Sequence, residues 1–156
     1  MEEKMSDNPG VITFPPALYA GTLLIGLILS FLFPIEWMSR SIALVLGTLA
    51  FICAGAIAIS AFRTMNCAQT AVNPSQPTTM IVTDGVFSWS RNPIYLSLTL
   101  LYIALSLLFN ALWALLLLLP LLVIVQIGII QCEEIYLERK FGAEYLMYKA
   151  SARRWL

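Results

Sequence analysis

Residues 91–134 read RNPIYLSLTLLYIALSLLFNALWALLLLLPLLVIVQIGIIQCEE: an arginine, two apolar runs broken at Asn110, and a glutamate pair. A helix needs about 20 apolar residues to cross the hydrocarbon core, with roughly 17 the lower limit. The run 112–132 is long enough, whereas 94–109 is short unless residues around Pro93 extend it. Folded at Asn110, the two form a helical hairpin. Arg91 lies 19 positions before the break and Glu133 lies 23 after it. At about 1.5 Å per helical residue the two ends differ by roughly one turn, which a long arginine side chain can bridge. Charges at that depth are costly unless paired or functional, so a site is expected at this junction. Pro120 is expected to kink the last run, because its ring removes a backbone donor and crowds the preceding turn.

Two more apolar runs lie upstream, 17–33 and 42–62. The chain has 156 residues, of which 60% are hydrophobic and only 12% charged. Soluble domains carry about a quarter charged residues, so the expected fold is an all-α integral membrane protein with four transmembrane helices. The run 17–33 follows an acidic, Pro-containing segment and no small-residue cleavage site follows it, so it reads as a span and not a signal peptide. Residues 1–16 read as a loose arm or interfacial segment. Pro34 ends the first span, and Trp37 suits an interfacial anchor. Gly47, Ala50, Ala54, Ala58 and Ala61, with Gly55 beside them, form a small-residue stripe suited to close helix packing.

Four spans place both termini and the segment 63–93 on one side of the membrane. That side carries Lys4, Arg63, Arg91, Arg139, Lys140, Lys149, Arg153 and Arg154, against Arg40 alone on the other. The basic excess marks it as cytoplasmic. Within 63–93, Thr70–Thr79 is turn chemistry, and Asp84-Gly85 adds a tight turn with unusual backbone. After Cys132 the pattern becomes amphipathic, and 133–156 reads as a cytoplasmic cap helix over the bundle mouth. The whole chain forms a single membrane domain.

The chain has no histidine and its three cysteines are scattered, which excludes the usual zinc sites and histidine-assisted nucleophiles. No metal is expected, and with zero net charge no nucleic acid either. At the junction, Arg91 can take a carboxylate in a two-pronged fashion, while glutamates can take hydroxyl pairs or an ammonium group. That suits a zwitterionic ligand bearing a sugar, with the reactive group supplied by the ligand. Arg91 can equally staple the hairpin to Glu134, and on the pattern alone both readings stay open.

Asp84-Gly85-Val86-Phe87, Ser90-Arg91-Asn92-Pro93-Ile94-Tyr95, and Glu133-Glu134 with Leu137, Phe141-Gly142, Tyr145 and Tyr148 resemble the isoprenylcysteine carboxyl methyltransferase family. That family stands with the phospholipid methyltransferases, integral membrane enzymes that use S-adenosylmethionine. The resemblance runs from about Arg63 to the C-terminus. It implies that Arg91, Asn92, Pro93, Tyr95, Glu133 and Glu134 bind the cofactor, with Gly85, Val86 and Phe87 completing the pocket. It further implies catalytic roles for Arg91 and for Arg63, which resembles an arginine that contacts the acceptor's carboxylate in eukaryotic members. Asn92 stands where the family has histidine, which removes a titratable group but keeps a hydrogen-bonding amide.

The short form resembles prokaryotic members, which implies an inner-membrane location. The reaction implied is direct in-line methyl transfer to a lipophilic or small acceptor entering from the bilayer, either anionic or already neutral. A sterol-reductase-like enzyme using NADPH, sharing the C-terminal hairpin, is an alternative, and a non-catalytic membrane scaffold is another.

Overall fold

A computed structural model describes residues 14–70 and 78–156 of the chain. Most of the expected N-terminal arm, and positions 71–77 of the expected turn region, lie outside the described residues. The architecture is helical: α1 (Pro15–Leu32), α2 (Arg40–Cys67), a short 3-10 turn (Gly85–Ser88), α3 (Pro93–Leu108), α4 (Leu112–Val125), a π-helical segment (Gln126–Ile130), α5 (Gln131–Phe141) and α6 (Ala143–Ser151). No β-strand occurs among the described residues, although Ser90 and Arg153 form an isolated parallel bridge.

Three helices are long and apolar enough to cross a membrane: Pro15–Leu32, Arg40–Cys67 and the continuous Leu112–Phe141. Helix α3, at 16 residues, is apolar but shorter. Proline sits in the first turn of both α1 and α3, where its missing N–H is not needed and its fixed φ suits a helix start. The expected boundaries shift in two places. Helix α2 continues to Cys67, so Arg63 stands on a helix and not in the loop. The last apolar run continues through the glutamate pair to Phe141 and breaks at Gly142, whose φ of +55° is open to glycine. The amphipathic region is therefore the end of a long helix followed by the short α6. Pro120 lies inside α4, and the departure from α geometry falls later, at Gln126–Ile130.

Packing pairs α2 with α3 and α1 with α4, while the turn at Asn110 (φ +51°) joins α3 to α4. Small residues set the closest approaches. A Cβ on Gly26 would lie 2.5 Å from Ala114 Cα, and one on Gly47 would lie 2.8 Å from Leu108 Cγ. The core holds Tyr19, Tyr102, Leu118, Leu121, Val125, Ile129 and Ile130. Its buried hydroxyls find partners: Tyr19 bonds Thr99 at 2.8 Å, and Tyr102 donates to the Ala114 carbonyl at 2.8 Å. Without water in the hydrocarbon region, such groups must be satisfied internally.

Candidate active site

At the end of the bundle where α2 stops and α3 begins, four segments converge on Arg91. The first is the 3-10 turn itself. Gly85 has φ +59°, and an added Cβ would sit 3.1 Å from Thr64 Oγ1, so the tight turn expected at Asp84-Gly85 is present and requires glycine. The turn is anchored by Phe87, which packs with Ala61, Tyr145, Tyr148 and Ala152. Tyr148 donates its hydroxyl to the Phe87 carbonyl at 2.8 Å. Burial raises the Tyr148 phenol pKa, with Tyr145 reinforcing the shift. Burial, then Glu134, pushes the Tyr145 phenol up to about 12. Both stay protonated at neutral pH and can act as donors.

The second and third segments are α5 and the C-terminal tail. Arg91 Nη2 reaches Glu134 Oε1 at 3.1 Å, and both side chains are only 8% exposed. Arg154 also grips Glu134, with Nε at 2.9 Å from Oε1 and Nη2 at 2.7 Å from Oε2. Arg91 Nη1 donates to the Lys149 carbonyl at 3.1 Å, and the Arg91 backbone N–H donates to the Arg153 carbonyl at 2.8 Å. Asn92 Nδ2 donates to the Arg154 carbonyl at 2.8 Å. The Asn92 amide thus ties the start of α3 to the tail. Lys149 pairs with Glu138 nearby.

Glu133, one residue away, is in a different situation. One of its oxygens accepts the Tyr95 hydroxyl at 2.6 Å, and no cation pairs with it among the described residues. The fourth segment is the C-terminal half of α2, which closes the wall opposite α3.

Together these elements enclose a cavity of about 720 Å³. Its polar end holds Arg91, Asn92, Tyr95, Glu133, Tyr136, Tyr145 and Tyr148. Its apolar limb runs between Phe51, Ala54, Gly55, Ala58 and Phe62 of α2 and Ile94, Leu98 and Leu101 of α3, with Phe14–Pro16 at the edge. The small-residue stripe of α2 therefore divides along its length. Gly47 is in tight contact with α3, whereas a Cβ on Gly55 would meet nothing within 4 Å.

Of the residues singled out in the sequence, Phe87, Arg91, Asn92, Pro93, Tyr95 and Glu133 line this cavity. Gly85 and Val86 stand behind it, in the turn that carries Phe87. Glu134 is buried behind the wall against the two arginines and does not line the cavity. Arg63 lies exposed on α2, also outside the lining. The sequence reading counted Arg154 only toward the basic side and gave it no part in the site, nor did it name Tyr136 or Ala54 as wall residues. Arg154 had only a weak signal, a cation pair after the Tyr145 and Tyr148 face of the last helix. No group of three or more potential metal ligands occurs among the described residues.

The arrangement is chemically two-sided. The Arg91 guanidinium lines the same space as the Glu133 carboxylate, which has no cation beside it among the described residues. Aromatic rings line the same cavity, and rings attract cations over their faces. An anionic group, a cationic group and an apolar chain can be held at once.

The family model for phospholipid methyltransferase matches residues 42–144. No curated protein and no solved structure matches the chain.

Proposed function

The chain belongs to the phospholipid methyltransferase family, and from that premise we propose that it is an S-adenosylmethionine-dependent membrane methyltransferase acting on a lipophilic acceptor. The observation that carries this reading is the continuity of the cavity. Its polar end presents Arg91 and Glu133, and its other end is an apolar slot between α2 and α3.

The residues present fit the cofactor. Arg91 lines the cavity, and its guanidinium suits the cofactor's carboxylate. Glu133, held by Tyr95, suits the ammonium group or the ribose hydroxyls. Phe87, Tyr136, Tyr145 and Tyr148 offer ring faces and edges to a cationic centre and a base. When bound, the cofactor supplies a methyl group on a positively charged sulfur. The protein's part is to hold this group and the acceptor in line and to exclude water, which is where most of the rate gain of such a transfer arises. Glu134 carries two arginines, so in this reading it fixes Arg91 and does not touch the ligand.

The acceptor's apolar part lies along Ala54, Gly55 and Ala58, reached sideways from the bilayer. Arg63, exposed at the rim of α2, is placed to meet an anionic acceptor arriving at the surface, not one already in the cavity. In the same reading α3, paired along α2, completes a fourth crossing. The tail and α6 then cap the mouth on the cytoplasmic side, with both termini there, in a prokaryotic inner membrane.

Calorimetry on the purified protein in detergent tests this directly. Binding of S-adenosylmethionine, and methyl transfer from it into a lipid extract, is the expected result. Binding of NADPH in its place would support the sterol-reductase alternative, and binding of neither would overturn the enzyme reading.

A further inference from the structure

We infer that Arg154, in the C-terminal tail, is a positioning residue for Arg91, acting through Glu134. The ligand it serves rests on the methyltransferase reading. The geometry does not.

Glu134 has two oxygens and three guanidinium donors. Arg154 takes both oxygens, through Nε at 2.9 Å and Nη2 at 2.7 Å, and Arg91 shares Oε1 at 3.1 Å. The better-made pair is therefore the one with the tail. A carboxylate gripped in two places by one arginine has its plane fixed. That plane sets where Arg91 Nη2 can bond. The tail is itself located on both sides of Arg154. Upstream, the Arg153 carbonyl accepts the Arg91 N–H at 2.8 Å, and downstream Trp155 Nε1 donates to Gln126 Oε1 at 3.0 Å. Arg154 is thus delivered to Glu134 by a segment already pinned to Arg91, just before α3, and to the π-helical segment.

Charge reinforces the point. Two guanidinium groups and one carboxylate leave the cluster with one uncompensated positive charge. If Arg91 faced Glu134 alone, the pair would be neutral and its pull on a ligand carboxylate weaker. With Arg154 competing for the same oxygens, Arg91 keeps net positive character toward the cavity it lines. Its buried Nε has no hydrogen-bond partner among the described residues.

Two measurements on the full chain, one without ligand, decide this. In protein labelled with ¹⁵N-arginine, the Arg91 Nε–H signal of the ligand-free form is expected to be protected and slowly exchanging. In Arg154→Ala it should become fast-exchanging, and Arg154→Lys should restore it only in part, because an ammonium cannot grip both oxygens in a plane. An Arg91 signal unchanged in Arg154→Ala would overturn the inference, whatever the protein binds. Where Arg154→Ala fails to fold, Arg154→Lys alone reads the same signal with the same two outcomes.

The second measurement is S-adenosylmethionine affinity. It should fall roughly tenfold in Arg154→Ala, the scale of one charge-assisted hydrogen bond, and no further when Arg91→Ala is already present. Additive losses would overturn the coupling. Wild-type protein that binds no S-adenosylmethionine would reject the cofactor assignment instead, and the ligand-free signal would still decide whether Arg154 positions Arg91.

Discussion

The two ends of this helix bundle use the same residue types to opposite effect. At the end where α1 stops and α2 begins, Arg40 donates to the Leu108 carbonyl at 2.6 Å, Asn110 Nδ2 to the Met38 carbonyl at 3.0 Å, and Trp113 Nε1 to the Phe33 carbonyl at 2.9 Å. Each satisfies a carbonyl at or near a helix end. At the other end Arg91 and Asn92 also take carbonyls, from α6 and the tail, but the arginines there share a carboxylate as well. Both ends leave buried polar atoms unpaired, Trp37 Nε1 and Asn110 Oδ1 at one and Arg91 Nε at the other. An unpaired atom therefore does not by itself mark a site. What distinguishes the Arg91 end is the cavity in front of it, where Gly55 of α2 faces open space, whereas Gly47 at the far end is packed against Leu108 and Ala104 of α3.

The comparison breaks hardest at Glu134. Replacing it with alanine leaves Arg91 buried without its counter-charge, and removing one partner of a buried pair costs about 3–5 kcal/mol. Thermal unfolding in detergent should show that loss with or without ligand. A Glu134→Ala variant as stable as wild type would mean that water already solvates the cluster.

Glu133 should behave in the contrary way. Glu133→Gln keeps the Tyr95 contact and removes only charge, so the apo melting temperature should hardly move. S-adenosylmethionine affinity should fall about tenfold or more, as expected for a charged hydrogen bond worth roughly 1.5–3 kcal/mol. Titration calorimetry checks it. Unchanged affinity would place Glu133 outside the ligand's reach.

The glycines sharpen the same contrast. Gly26→Ala forces a methyl against the Ala114 backbone and should cost about 1–3 kcal/mol in unfolding experiments. Gly55→Ala meets nothing and should change stability by no more than about 0.5 kcal/mol. Equal costs at the two positions would show that the slot along α2 closes in the bilayer.

The smallest effect is expected at Arg40. Arg40→Ala removes one hydrogen bond from an exposed side chain and should cost about 1 kcal/mol or less, with cofactor affinity unchanged. A loss of affinity there would couple the two ends, which the fold gives no reason to expect.

Much of this was legible in the residues. Apolar length alone placed the helix starts to within a few positions, because hydrocarbon admits no unsatisfied backbone and leaves little choice but helix, whereas α2 and the last helix run well past their apolar ends to Cys67 and Phe141. The break at Asn110 brought Arg91 and the glutamate pair to one end by simple counting. The glycine turn at Gly85 follows from a steric rule that holds in any context. The division of labour between Glu133 and Glu134 was not legible. Neighbours on a helix point about 100° apart, so one of them must turn from the cavity, but which one depends on the helix's rotation. Here a π-helical turn at Gln126–Ile130 intervenes just before them, and its wider turn shifts the face that all later residues present. Nor could Arg154 be found by pattern, since its contact with Glu134 spans 20 positions and a chain reversal at Gly142. Local sequence sets periodicity and turn chemistry. Only the packing of α2, α3, α5 and the tail against one another decides which polar atoms are consumed by the fold and which are left facing the cavity.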